Sequence, residues 1–387
     1  MRIKEETMNQ SAYIQQNEEI RAFNDLACSF ARKELLGHAH EHEYPYRRKV
    51  TGVMKMAIEA GLFGINLSAD WGGTGLDAFA LAGIVEEISA IDAGMAAMLF
   101  TNAAALEIIS AAETHGGESC LSAYQFIAGQ EGIPLAFQSY VSPDEIDFPE
   151  VSGKDKYLLN GNLPLLSLGS MARYAVAAGA RQRDKGFSYY LIDLSAPGVT
   201  KSDSILTLGF QACQAVDTNL KDVPGLLIGA EGAGNIYFQK MLSVMSVPAA
   251  ALSLGIMQGC FKEALDYAGQ RWQGGRNIVE WSGVRMKLAE IAIQIDVAKS
   301  CLSGIRSAYN ADSPDANHPA VAAAIHISEL ACGATSEGVQ LLGGNGYMKD
   351  YGQEKRMRDA RQARSLLGMS GLKKMKYIDK IIEEVRI

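Results

Sequence analysis

The spacing of apolar residues changes period twice along the 387-residue chain, and that change constrains the fold more tightly than any single motif. From about residue 11 to 114 apolar residues recur at helical spacing, as in AFALAGIVEEISAI (78 to 91), broken by the turn Trp71-Gly72-Gly73-Thr74-Gly75. Between roughly 132 and 229 the pattern shortens to runs such as PLAFQSY, KYLLNGNLPLL, RYAVAAGA and FSYYLIDL. Within these runs Asn160-Gly161 is placed like the type I′ turn of a β-hairpin. After Gly234 long helical patterns return over residues 236–272, 280–310, 319–342 and 370–385. The order α, then β, then α predicts an α+β chain in three parts: a helical domain over 1–125, a β domain over 126–235, and a helical bundle over 236–387.

Composition narrows the partners. With 48% hydrophobic and 21% charged residues, a chain of this length can bury a large core. A net charge of −8 without a long Lys/Arg run argues against nucleic acid as the main partner. No stretch reaches about 18 uninterrupted apolar residues, and MRIKEETMNQSAYIQQNEEI lacks the apolar core of a signal peptide. A cytoplasmic protein with no membrane span is therefore expected. Cys28, Cys120, Cys213, Cys260, Cys301 and Cys332 form no C-x-x-C pair, so buried thiols are expected rather than disulfides or a zinc site.

His38, His40 and His42 in GHAHEHEYP have an i, i+2 spacing that fits no helical ligand pair, which predicts a solvated loop and no metal. Glu354 and Arg358, four apart, predict an exposed ion pair, while Asp359 and Arg361 are expected to knit the last helices together. The almost uncharged stretch from Met241 to Cys260 is expected to bury against another subunit.

Four stretches, GLFGINLSADWGGTGLD (61–77), EEIS (86–89), YAGQRWQGGRNIVEWSGVRMKLAEI (267–291) and QLLGGNGYMKDYGQEKRMRDAR (340–361), occur in an order and spacing that resemble the acyl-CoA dehydrogenase family of flavoproteins. The resemblance implies an N-terminal helical domain, a β-barrel-like middle domain and a C-terminal four-helix bundle. It also implies a tetramer with FAD at a subunit interface, an acyl-CoA thioester in a slot beside the flavin, and an electron-transfer flavoprotein as acceptor. The chemistry so implied needs a carboxylate that takes the α-proton while the β-hydride goes to the flavin.

By resemblance, Arg271 stands where an arginine reaches the FAD pyrophosphate, and Gln340, Gly343 and Gly344 where a neighbouring subunit meets the flavin nucleotide. Read by residue type alone, these are a solvated arginine and helix-capping glycines. The ring-binding loop of the family is represented by FQSYVSPD (137–144), with Gln138 as its candidate contact, and the W-I-T segment by Leu165-Leu166-Ser167, whose Ser167 hydroxyl would reach the ring. Gly274 stands where an aromatic is usual, and Met369 where a hydroxyl residue is.

Counted without gaps from Gly343, the seat of the usual catalytic glutamate holds Leu367, and an alternative seat holds Met245. The positions implied to anchor CoA hold Ser243 and Ser246. A leucine accepts no proton, and losing a general base removes about 10²–10⁴ in rate. Glu280, Glu290 and Asp350 could serve as replacement bases, but each fits a structural or surface place. The leading reading is the divergent subunit of a hetero-oligomeric acyl-CoA dehydrogenase, inactive in its own slot and sharing FAD with a paralogue. The alternatives are a self-sufficient enzyme with an unidentified base, and a non-catalytic scaffold or ligand-binding module.

Overall fold

The computed structural model describes residues 18–46, 50–113, 123–125, 127, 133–153, 156–181, 186–310 and 317–385. Residues 1–17 of the N-terminal peptide quoted above and Cys120 lie outside the described residues. Helix α1 covers 18–30 and α2 Val50–Glu59. The Asp77 carboxylate then caps α3 (Ala78–Ser89), accepting from the amides of Phe79 and Ala80 at 3.0 and 2.9 Å. Helix α4 (Ala93–Glu113) is apolar on every side and almost wholly buried, as expected of a helix at the centre of a core.

The middle part is one sheet: β1 (Leu135–Ala136), β2 (Glu150–Ser152), β3 (Tyr157–Ser167), β4 (Tyr174–Gly179), β5 (Ser188–Asp193), β6 (Val199–Lys201) and β7 (Ala215–Ile228). Its order is β1-β4-β5-β7-β3-β2, with β6 on β7, and every pairing is antiparallel except β1 with β4. Isolated bridges from Phe137 to Ser167 and from Glu150 to Ala180 curl the sheet toward a barrel. Asn160-Gly161 is not a hairpin turn: both residues lie inside β3 at a bulge opposite β7, where the Asn160 side chain bonds the Asp222 amide and carboxylate. The chain has a hairpin with two positive-φ glycines elsewhere, at Gly274-Gly275 between β8 (Trp272–Gln273) and β9 (Arg276–Asn277).

The C-terminal part comprises α5 (Gly234–Gln270), α6 (Ser282–Asn310), α7 (Asn317–Leu342), α8 (Gln353–Ala363) and α9 (Ser370–Val385). The Met241 to Cys260 stretch does not await another subunit. It is covered within the chain by α3, α4 and α7. Glycines let the helices meet this closely: a Cβ at Gly255 would lie 2.1 Å from Ser89 Oγ, and one at Gly259 2.1 Å from the Ala90 carbonyl. Helices α4 and α5 are long and apolar enough to cross a membrane, but 89% and 78% of their apolar windows are buried in the chain, so they are core helices.

Charges cross-link the first and last parts. Lys355 donates to Asp359 Oδ2 at 2.7 Å and to Asp92 Oδ1 at 3.1 Å, and His42 Nδ1 lies 3.1 Å from Asp92 Oδ2. His42 is thus fully buried rather than in a solvated loop. Arg358 bonds Glu43 and Glu354 at 2.7 Å each, so the Glu354 to Arg358 pair is half-buried and shared with Glu43. His40, Glu43 and Glu354 bring ligand atoms within 4.8 Å of one another, but both carboxylates already hold the Arg358 guanidinium. Asp359 does not join the last helices; it accepts from the Phe210 amide at 2.7 Å, tying α8 to the loop before β7, while Arg361 is exposed. Of the described cysteines, Cys213, Cys260 and Cys332 are buried thiols, Cys28 is half-buried and Cys301 exposed.

Candidate active site

Three of the sequence-derived nucleotide contacts come from chain that leaves a helix. Arg271 follows α5, whereas Gly343 and Gly344 follow α7, on whose last turn Gln340 sits. All four line one cleft of about 700 Å³, together with Tyr267, Trp281 and Asn345. No carboxylate lines it, and among the described residues the exposed Arg271 guanidinium has no acidic partner. Gly343 has φ +59°, and a Cβ at Gly344 would meet nothing within 4 Å, so main chain is open to a ligand there. Gly346 differs: its Cβ would lie 2.1 Å from the Val339 carbonyl, so that glycine serves the turn itself. Asn345 fixes the wall by donating to the Tyr267 and Tyr351 hydroxyls at 3.1 and 3.2 Å.

The second group of residues is engaged inside the protein. Gln138 is buried and its amide donates to the Pro164 carbonyl at 2.7 Å. Ser167 is fully buried and accepts from the Ser139 hydroxyl at 3.1 Å, which in turn bonds Thr101 at 2.9 Å. The Leu367 amide donates to the Ser139 carbonyl at 2.7 Å, so the turn after α8 is fastened directly to the loop after β1.

Leu367 is 3% exposed and sits at φ +62°, a left-handed conformation that costs a leucine about 1–2 kcal/mol. It borders a small cavity with Ser243, Phe238, Leu242 and Leu372. Met245 is fully buried and lies outside that cavity. The Ser243 and Ser246 hydroxyls each donate to the carbonyl four residues back, of Gln239 and Leu242, so neither hydroxyl proton is offered outward. Glu280, Glu290 and Asp350 are all on the surface. Sequence reasoning missed Glu145, whose carboxylate accepts from the Ser142 amide at 2.6 Å and the Met369 amide at 2.8 Å, two residues past Leu367. It also missed Lys373, whose Nζ donates to the Arg364 and Leu366 carbonyls at 3.0 and 2.8 Å. Ser142-Pro143-Asp144-Glu145 carries the S-x-x-E spacing of a capping box, a signal that could have found Glu145, whereas nothing in LKKMK marks Lys373 by pattern.

Comparison with known proteins decides the family. The acyl-CoA dehydrogenase N-terminal domain matches residues 17–117 and the acyl-CoA dehydrogenase C-terminal domain residues 232–380. The chain belongs to the acyl-CoA dehydrogenase family. It is 28% identical over 374 residues to the short-chain specific acyl-CoA dehydrogenase of Clostridium acetobutylicum, covering 92% of this chain and 96% of that one. It is 26% identical over 386 residues to the Caffeyl-CoA reductase-Etf complex subunit CarC of Acetobacterium woodii, covering 94% and 97%. The solved structure of butyryl-CoA dehydrogenase from Megasphaera elsdenii superposes with a TM-score of 0.84 at 22% identity, covering 94% of this chain and 98% of that one.

Acyl-CoA dehydrogenases are FAD flavoproteins and oxidoreductases. In this family member the two ends of such a site fit FAD unequally. The cleft around Arg271 suits a diphosphate: unobstructed glycine main chain and, among the described residues, a guanidinium with no acidic partner and no competing acid in the lining. At the other end, the side chains of Gln138, Ser139 and Ser167 and the Leu367 amide are committed to one another and to the main chain.

Proposed function

We propose that this acyl-CoA dehydrogenase family chain is the divergent subunit of a hetero-oligomeric, FAD-dependent acyl-CoA dehydrogenase of the cytoplasm. In this reading the complex oxidises an acyl-CoA thioester at Cα–Cβ in the slot of a complete paralogue, and this chain's own slot is inactive. The observation that carries the reading is a contrast. Both seats for the base hold buried apolar side chains, Leu367 and Met245, while Arg271, Gln340, Gly343 and Gly344 remain together on an open cleft.

Each residue then has a task. Arg271 would neutralise the pyrophosphate of FAD held mainly by the partner, and the main chain at Gly343 and Gly344 would approach it closely. Gln340 would hydrogen-bond the nucleotide. Gln138 and Ser167 would meet a ring only if their present internal bonds opened. FAD, when bound, supplies the hydride acceptor. A tetrameric assembly and an electron-transfer flavoprotein as acceptor belong to the same proposal, and the likeness to an Etf-complex subunit supports the latter.

The test is flavin content after co-expression with the paralogue. The complex should purify yellow and the lone chain colourless, and Arg271→Ala should lower the flavin content of the complex without dissociating the subunits. Full flavin occupancy in the lone chain contradicts the reading.

A second reading, a self-sufficient enzyme, draws on Glu145, a carboxylate bonded beside Met369. If it were the base, Glu145→Gln would abolish turnover by the lone chain.

A further inference from the structure

We propose that the cavity walled by α5, α7 and α9 binds a free short-chain carboxylate, whose carboxyl group is taken by Lys373 and Ser142 and whose alkyl part lies on Phe238, Leu242, Leu367 and Leu372. All six residues line the cavity. The cavity is the one bordered by Leu367 and Ser243, so the inference rests on the reading that this chain's own slot does not work on a thioester.

Among the described residues Lys373 has no bonded counter-ion. Two of its three protons go to the Arg364 and Leu366 carbonyls, which fixes the ammonium and caps the end of α8, and leaves the third free. Among the described residues no carboxylate is within ion-pairing distance of it. Glu145 acts on it only at longer range, since its two oxygens are held by the Ser142 and Met369 amides. Burial pushes the Lys373 amine down to about 8, the expected response of an ammonium removed from water without a close anion.

Ser142 supplies an independent sign. It is 3% exposed, and its hydroxyl donates to no acceptor. A buried hydroxyl donor and a half-buried cation lining one cavity are a costly combination unless a carboxylate satisfies both. Further along α9, Lys376 pairs with Asp144, and Lys380 also borders the opening, so the mouth leans positive.

Size and chemistry limit the ligand. The lumen is about 100 Å³, room for about seven to ten non-hydrogen atoms at about 10–15 Å³ for each water-sized group. A thioester presents only a neutral carbonyl and would leave Lys373 uncompensated. The free acid supplies the charge.

The test uses the full chain and sodium butyrate, with butyramide as the neutral isostere and inorganic phosphate as the anion without a tail. Butyrate should raise the melting temperature saturably and bind at least about tenfold more tightly than butyramide or phosphate, the ratio expected for one charge-assisted hydrogen bond. Lys373→Gln and Ser142→Ala should each weaken butyrate, and Leu242→Trp, which fills the lumen, should abolish it. Should Lys373→Gln fail to fold, the butyrate and butyramide comparison on the unaltered chain decides alone. Equal binding of the three probes, or no saturable binding of butyrate, overturns the proposal.

Discussion

Lys355 Nζ lies 3.1 Å from Asp92 Oδ1 although 263 residues separate them, and this contact anchors the N-terminal helices to α8. Three buried carboxylates, Glu43, Asp92 and Asp359, face that single ammonium. Burial alone would lower its pKa, but their charges hold it above the ordinary lysine value. Lys355→Met should therefore destabilise the chain by about 3–5 kcal/mol, because it leaves buried acids without their cation. Urea unfolding followed by circular dichroism measures this. A loss under about 1 kcal/mol would mean that water reaches the cluster.

The same network fixes an acid limit. Burial would raise the Asp92 carboxyl, yet Lys355 and the His42 hydrogen bond outweigh it and hold the group well below the usual carboxylate range. A folded value below the unfolded one, near about 3.9, contributes stability above about pH 4 that is lost as pH falls further. Melting temperature should drop between about pH 5 and 3, and Asp92→Asn should flatten that slope while lowering stability at neutral pH. Lys373 gives the opposite limb. Its folded value of about 8 lies below the unfolded value of about 10.4, so the unfolded chain binds more protons in between and this residue's contribution grows as pH rises through that window. Lys373→Met should remove that rise.

Much of the fold was legible in the sequence. The change of apolar period locates the helical, β and helical parts, and the helical pattern over 370–385 coincides with α9. What failed were details that depend on distant chain. Asn160-Gly161 has the composition of a turn, but eight residues of β3, Gly161 among them, pair onto β7. An uncharged stretch such as Met241 to Cys260 shows that something covers it, and the covering helices come from both ends of the chain. His42 gives no sign of Asp92 fifty residues on. Arg271 and Gly343 were joined only through the family resemblance, since nothing local to either says that α5 and α7 end side by side.

The two glycines of the cleft should respond differently. Gly344→Leu leaves the lone chain as stable as before, because its Cβ points into open space, but should lower flavin retention in the complex. Gly346→Ala, pressed against the Val339 carbonyl, should cost about 1–3 kcal/mol. Thermal melts and flavin absorbance on the same preparations separate the two effects.

Leu367→Glu places a carboxylate in the seat of the missing base. Burying that acid among Phe238, Leu242 and Leu372 should cost stability, offset in part by Lys373 on the wall of the same cavity. Activity should not return, since Ser243 and Ser246 bond back onto α5 and Gln138 and Ser167 are engaged internally. Rapid-mixing flavin reduction in the complex is the readout, and a gain confined to this variant would mean that the rest of the slot is intact.

The central claim, that this chain's own slot does no dehydrogenation, is tested most directly by anaerobic titration. The purified chain, free of partners and supplied with FAD, is mixed with acyl-CoA esters of graded length while the long-wavelength flavin absorbance is followed. No bleaching by the chain alone, and bleaching by its complex with the paralogue, is the predicted result. Bleaching by the chain alone would contradict it and would direct mutagenesis first to Glu145.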